Sequence, residues 1–89
     1  MTFRKFTVVI PTILARGNKL NYLVNQILKF SDIIDQVIIV NQSNKNYLPP
    51  SQHIIVKNVN WKGLCRARNL GVAMSKNEYV LLCDDDIKL

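Results

Sequence analysis

Residues 63–87 read GLCRARNLGVAMSKNEYVLLCDDDI and contain the strongest structural signal in the chain. Small and apolar side chains recur at helical spacing, at Leu64, Ala67, Leu70, Gly71 and Met74. This spacing predicts an amphipathic helix, and the apolar run at residues 78–83 predicts a buried strand after it. Three aspartates at positions 84–86 follow directly. The stretch therefore predicts a helix, then a strand, then an acidic strand end.

Upstream, three further apolar runs and one periodic segment predict the rest of the fold. Residues 6–10 (FTVVI), 36–40 (QVIIV) and 53–56 (HIIV) are typical of buried strands, and Pro11 is expected to end the first. Apolar residues at helical spacing in residues 18–30 predict a helix, with Asn18 as its N-cap. The order β-α-β-β-α-β predicts an α/β, Rossmann-like fold with a mainly parallel sheet and flanking helices.

Length and composition indicate one small globular domain over residues 1–89. Hydrophobic residues make up 48% of the chain and charged residues 20%, which excludes the composition of a disordered protein. The net charge is +6, but the Lys and Arg residues are scattered, so we expect no nucleic-acid partner. Because no apolar run is long enough to span a membrane and the N-terminus lacks a signal-peptide pattern, we expect a cytoplasmic location.

The two cysteines, Cys65 and Cys83, show no spacing typical of a metal site. Both fall in segments that should pack inward, one in the second helix and one at the end of the last strand. Nothing in the sequence indicates secretion, where disulfides are common. We therefore predict two reduced, packed thiols.

Polar residues follow three of the predicted strands, at the positions where open α/β sheets bind ligands. Pro11 and Thr12 follow the first strand, Asn41 and Gln42 the second, and residues 84–86 the last. If the last strand pairs with the first, the acidic triplet lies beside Thr12. The three strand ends are therefore predicted to line one crevice.

The acidic triplet is a local concentration of negative charge in a basic chain. Adjacent carboxylates are costly unless a cation or hydrogen-bond donors offset them. Alternate side chains of an extended segment point the same way, so Asp84 and Asp86 are the predicted metal ligands, with Asp85 turned aside or bonded locally. Oxygen ligands favour Mg²⁺ or Mn²⁺. Arg66 and Arg68, near a helix N-terminus, are candidates for holding a diphosphate. The simpler alternatives are a solvated acidic turn and a solvated helix face.

Three pieces in this order resemble family 2 glycosyltransferases. They are the opening strand with Pro11 and Thr12 (VVIPT), the strand and polar turn QVIIVNQSN, and residues 63–87, in which an A-R-N-x-G helix and an apolar strand lead into a D-x-D motif. The resemblance implies a GT-A fold, here truncated, that transfers a sugar with inversion from a nucleoside-diphosphate sugar, often UDP-linked, to a saccharide or other acceptor. It implies that the D-x-D aspartates hold Mn²⁺ or Mg²⁺ against the diphosphate, that residues 11–12 flank the nucleobase and ribose, and that Arg68 lies near the donor.

The chain departs from the family pattern in two places. Asn41 and Gln42 stand where the family usually has an aspartate that contacts the nucleobase. Both amides can donate and accept hydrogen bonds, so both remain candidate substrate-binding residues, together with Asp85, and the preferred base is open. The chain stops at Leu89, before the acceptor half with its general base. We therefore expect this segment to bind the donor without efficient transfer. The acceptor is expected to bind to a longer parent protein, for which peripheral membrane association is an open alternative.

Other functional classes stay open at this point. A non-catalytic Rossmann-like module that binds a nucleotide or a protein would use the aspartates only as a surface turn. A nucleotidyltransferase needs a Gly-rich, basic phosphate loop after the first strand, for which residues 15–17 (ARG) are the only candidate. A phosphoacceptor domain is disfavoured, since its key aspartate is expected after an early strand, and the first strand here is followed by Pro11 and Thr12. Metal-dependent nucleotide binding separates the first alternative from a glycosyltransferase.

Overall fold

The computed structural model describes residues 5–15 and 18–85, which form an α/β domain around a four-stranded parallel sheet. The elements are β1 (Phe6–Thr12), α1 (Lys19–Leu28), β2 (Ile34–Asn41), β3 (Ile54–Asn58), α2 (Leu64–Met74) and β4 (Tyr79–Leu82). The strand order is β3-β2-β1-β4, and every pairing is parallel. The predicted Rossmann-like class is confirmed, and β4 pairs with β1, which is the condition for a single crevice at the strand ends. Within the described ranges, no helix is long and apolar enough to cross a membrane.

The sheet is covered by one helix on each face. On one face, Val8 and Ile10 of β1 pack with the apolar side of α1, including Leu23. On the other face, Val9 packs with Ala67 of α2. These β1 side chains are fully buried, so the central strand has apolar residues on both faces. A parallel sheet requires this double cover, which explains why its strands are nearly continuous apolar runs.

The connection from β2 to β3 contains no helix. Residues 42–53 return the chain to the start of the sheet through turns and extended segments. A crossover between parallel strands needs about a dozen residues, and this loop supplies them. Tyr47 anchors the loop, since its hydroxyl donates to Asn21 Oδ1 at 2.9 Å and its ring packs against the core beneath α1.

Two sequence predictions at element ends need correction. Pro11 does not end β1, which continues to Thr12. Val9 O accepts a hydrogen bond from Cys83 N, so the backbone groups of Val9 face β4. Pro11 is two residues further on, and its backbone nitrogen faces the same side. The paired residues of β1 and β4 end at Val9 and Leu82, before Pro11 is reached. Its missing N–H therefore leaves no partner unsatisfied. Asn18 occupies the N-cap position of α1, but its side chain makes no capping hydrogen bond.

The prediction that the last strand is buried is only partly right. Tyr79, Leu81 and Leu82 are more than a third exposed, with Leu81 at 46%. In the described part of the chain β4 has a neighbour on one side only, and α2 packs mainly over β1 and β2. The apolar run alone could not show how far the helices extend over the sheet.

The amino ends of β1 and β2 are closed by a polar network. The hydroxyl of Thr7 donates to Gln36 Oε1 at 2.8 Å and accepts from Asn77 Nδ2 at 3.0 Å. Asn77 Nδ2 also donates to Asp35 Oδ1, and this hydrogen bond, followed by the nearby charge of Lys76, lowers the pKa of Asp35. The network fixes the turn between α2 and β4 against the bottom of the sheet.

Helix α2 approaches β1 closely at Gly71. A Cβ added there would overlap Val9 Cγ1 and lie 3.1 Å from Val9 Cβ. Val9 is fully buried and β-branched, so a change of its rotamer is restricted. Gly71 therefore sets the distance between α2 and β1.

We predict that Gly71→Ala lowers the free energy of unfolding by about 1 kcal/mol. Overpacking costs about 1–3 kcal/mol, which exceeds the gain of about 1 kcal/mol in helix propensity. Urea denaturation measures the difference. Ala73→Gly, at an exposed position of the same helix, reports the propensity contribution alone. A Gly71→Ala protein as stable as the wild type would contradict the close-contact argument.

Both cysteines are free thiols, but only one is packed. Cys83 is 4% exposed, whereas Cys65 is exposed, so the prediction that Cys65 packs inward is wrong. The stripe of α2 that faces the sheet runs through Ala67 and Gly71, and Cys65 lies outside it. Burial, assisted by the negative charge of Asp84, raises the pKa of the Cys83 thiol.

We expect native protein at pH 8 to show one fast thiol, Cys65, and one that reacts only on unfolding, Cys83. Thiol titration with an aromatic disulfide reagent, with Cys65→Ser as the control that removes the fast phase, measures this. Because the folded pKa of Cys83 is raised, its contribution to stability is complete below about pH 8.5 and is lost as pH rises through the folded pKa. Equal rates for the two native thiols would be the contrary result.

Candidate functional site

The carboxyl ends of β1, β2 and β4 line two adjoining pockets. The smaller pocket, of about 400 Å³, is lined by Pro11, Thr12, Ile13, Gln42, Lys62, Gly63, Leu64, Asp84 and Asp85. The larger pocket, of about 750 Å³, is lined by Ile13, Gln42, Ser43, Asn44, Lys45, Val59, Asn60, Trp61 and Lys62. The two pockets meet at Ile13, Gln42 and Lys62. The predicted strand-end residues Pro11, Thr12, Gln42, Asp84 and Asp85 are thus brought together in one crevice.

Thr12 joins the ends of β1 and β4. Its hydroxyl donates to Asp85 Oδ2 at 2.7 Å and accepts from Leu14 N at 3.0 Å. Leu14 has a positive φ of 57°, which turns the chain sharply after β1. Thr12 and Asp85 are both buried, with Asp85 at 6% exposure. The buried carboxylate is therefore held against the strand end by a side chain that also stabilises the turn.

Asp84 is exposed and points toward α2. Its Oδ1 accepts from Arg68 Nη2 at 3.2 Å, in an ion pair whose side chains are 55% and 35% exposed. Arg68 Nε is buried and has no hydrogen-bond partner in the described part of the chain. Arg68 therefore lies beside the acidic strand end, although it does not line either pocket.

The oxygen atoms at this edge are of the kind that hard divalent cations prefer. Asp84 and Asp85 provide two carboxylates in the wall of the smaller pocket. Asp86, the second predicted metal ligand, lies outside the described residues, as do Arg16 and Gly17 of the candidate phosphate loop. Over residues 5–15 and 18–85, no three His, Cys, Asp or Glu side chains come close enough to enclose a metal. Mg²⁺ commonly binds through one or two carboxylates plus phosphates and water, so the donor set fits a shared site of this kind.

Asn41 is fully buried and its amide is fully used within the protein. Oδ1 accepts from Ser43 N at 3.0 Å and from Ser43 Oγ at 2.7 Å. Nδ2 donates to Lys45 O at 2.7 Å and to Asn58 Oδ1 at 3.0 Å. Asn41 thus holds the loop after β2 in place, and a direct contact with a ligand would break one of these bonds.

Gln42 connects β2 to the start of α2. Its backbone N donates to Thr12 O at 2.9 Å, and its side-chain Oε1 accepts from Gly63 N at 2.7 Å. The side chain is 9% exposed and lies where the two pockets meet. Gln42 is therefore the predicted strand-2 residue whose side chain faces the pockets.

The larger pocket contains residues that were not predicted as site residues. Trp61 packs partly on the core beneath α2, and the Arg66 guanidinium lies 4.1 Å from its ring centroid. Lys45 and Lys62 line the same pocket. The strand-end rule could have indicated Lys45 and Trp61, since Lys45 follows β2 and Trp61 follows β3, which ends at Asn58.

Residues 7–88 match Glycosyl transferase family 2. The chain belongs to that family. No curated protein matches the sequence. As a family 2 glycosyltransferase domain, it has a general role in the transfer of glycosyl groups, and domains of this family generally use divalent metals. Its all-parallel sheet with flanking helices is consistent with the Rossmann-like part of a GT-A fold.

In this glycosyltransferase domain, we predict that Thr12→Val lowers the free energy of unfolding by about 1–3 kcal/mol. The substitution removes the donor to Asp85 Oδ2 and the acceptor for Leu14 N, and buried polar groups left unpaired cost this amount. Thr12→Ser keeps the hydroxyl and should lose less. Chemical denaturation of the three proteins compares them. A Thr12→Val protein that loses no more stability than Thr12→Ser would contradict the role assigned to the hydroxyl.

Proposed function

We propose that the two pockets bind a nucleoside-diphosphate sugar, UDP-linked, together with Mg²⁺ or Mn²⁺, as the donor for transfer to a saccharide or other acceptor. The observation that carries the proposal is the arrangement at the carboxyl edge of the sheet. Carboxylates lie in the smaller pocket, donor groups and an aromatic ring lie in the larger one, and Gln42 lies between them. A nucleotide has the matching arrangement of a planar base, a sugar and a charged diphosphate.

The diphosphate is assigned to the smaller pocket. Phosphates and carboxylates repel each other, so binding here requires a cation between them. We assign Asp84 and Asp86 to that cation, and Asp85 to the donor-binding wall, where Thr12 holds it. Bound metal would act as a Lewis acid on the departing nucleotide. Arg68 supports the assignment because its guanidinium already lies beside Asp84 and suits phosphate recognition.

The nucleoside is assigned to the region around Gln42 and the larger pocket. Pro11 and Thr12 flank this region from the smaller pocket, where a ribose would join base to diphosphate. Trp61 supplies apolar area, and Arg66 stacks against its ring. Asn41 contributes by fixing the loop that carries Gln42, because its own amide is occupied.

We predict that UDP binds only in the presence of a divalent cation. Amide chemical shifts would be followed while UDP is added with and without Mg²⁺, which is diamagnetic. Resonances near Thr12, Gln42 and Asp84 should shift when Mg²⁺ is present. Asp84→Asn/Asp86→Asn should weaken the metal-dependent binding at least about tenfold, the scale of a lost contact to a charged group.

Glu78→Gln is the matched control, since it removes a negative charge from an exposed residue just before β4, at the other end of that strand. It should bind UDP as the wild type does. Equal UDP binding with and without Mg²⁺, or an aspartate variant that keeps the metal dependence, would reject the D-x-D assignment. That result would favour the non-catalytic nucleotide-binding alternative.

A further inference from the structure

Three hydrogen-bond acceptors near the pocket junction are used by the protein itself. Asn41 Oδ1 accepts two hydrogen bonds from Ser43, and Lys45 O accepts one from Asn41 Nδ2. Gln42 Oε1 accepts from Gly63 N. These three acceptor atoms are therefore already used by the protein itself.

The orientation of the Gln42 carboxamide is fixed by chemistry. A backbone N–H can only donate, so the atom 2.7 Å from Gly63 N must be the oxygen. The amino group, Nε2, is then the end of the carboxamide available to a ligand. Because the side chain is 9% exposed and lies at the junction of both pockets, this donor has a defined position.

The charged side chains of the larger pocket act in the same direction. Lys45 and Lys62 are the charged residues in its described lining, and ammonium groups donate hydrogen bonds but cannot accept them. The pocket volume of about 750 Å³ does not distinguish a pyrimidine from a purine. Selection among bases must therefore come from the polar groups rather than from size.

We propose that Gln42 is a specificity-determining residue that selects a keto nucleobase over an amino nucleobase. The inference rests on the proposed nucleotide-binding function. The exocyclic group of a base projects beyond the ring on the edge away from the sugar. In uracil and guanine this group is a carbonyl oxygen, which accepts from Nε2. In cytosine and adenine it is an amino group, which places a donor against a donor and leaves both unpaired.

Two nucleotide pairs test the proposal, UDP against CDP and GDP against ADP, each titrated calorimetrically into the 89-residue chain with excess Mg²⁺. Within each pair the nucleotides differ in the keto or amino character of the base. The wild type should bind the keto member about tenfold or more tightly, since an unpaired donor costs this much. Gln42→Glu keeps an acceptor for Gly63 N but replaces Nε2 with a second oxygen. It should reduce the keto preference to within about twofold or reverse it.

Gln42→Glu also adds a negative charge, which weakens all four nucleotides but cancels in the ratio within each pair. Asn46→Asp adds the same charge at an exposed residue of the same loop that lines neither pocket, and it should leave the ratios unchanged. An unchanged Gly63 amide resonance in Gln42→Glu would show that the structural bond persists. No keto preference in the wild type, or the same preference in Gln42→Glu, overturns the proposal while the nucleotide-binding function stands. Failure of all four nucleotides to bind overturns both.

Discussion

The parallel pairing of β1 with β2 on one side and β4 on the other is the constraint on which the site depends. β1 is fully buried on both faces at Val8 and Val9, so its position is fixed by α1 and α2 together. Because all strands run the same way, their carboxyl ends meet at one edge. Thr12 and Asp85 are 73 residues apart in the chain and still form a 2.7 Å hydrogen bond there. The approach of α2 at Gly71 completes the arrangement by placing Gly63 within reach of Gln42.

The two edges of the sheet differ in how their polar groups are satisfied. At the amino edge, Thr7, Gln36 and Asn77 bond to one another and leave a closed structural network. At the carboxyl edge, Thr12 and Gln42 use part of their bonding capacity within the protein, and the Asn41 amide uses all of it. The groups that remain line the pockets: the exposed carboxylate of Asp84, the amide of Gln42, and the ammonium groups of Lys45 and Lys62. Buried polar groups must find partners within the protein, and only groups that reach the pockets are available to a ligand.

Much of the fold and part of the site could be predicted from sequence, for physical reasons. Apolar runs identified every strand, although only β1 and β2 are buried on both faces. The strand-end rule then identified Thr12, Gln42 and Asp84. Exposure along β4 could not be predicted, since it depends on how far α2 extends over the sheet. Cys65 was misplaced because the whole helical segment was taken to pack inward, whereas only the stripe through Ala67 and Gly71 is buried.

The division of roles between Asn41 and Gln42 was also invisible in the sequence. Both are amides at the end of the same strand, and both can donate and accept. The structure distinguishes them by direction: Asn41 is enclosed by its own loop, whereas Gln42 reaches across to Gly63. The direction in which a side chain points at a strand end depends on the path of the loop that follows. Residues 42–53 form an irregular loop without a helix, so that path could not be predicted from the sequence.

The ion pair of Arg68 with Asp84 is compatible with ligand exchange at the acidic edge. Both side chains are at least a third exposed, and such pairs contribute only about 0–1 kcal/mol to stability. Arg68 can therefore release Asp84 at little cost and turn to a phosphate, for which its planar guanidinium is well suited. A buried pair would lose much more on separation and would hold the aspartate unavailable. Under the proposed function, the weak pair holds Asp84 and Arg68 beside each other, and both side chains can still exchange this contact for a metal ion or a phosphate.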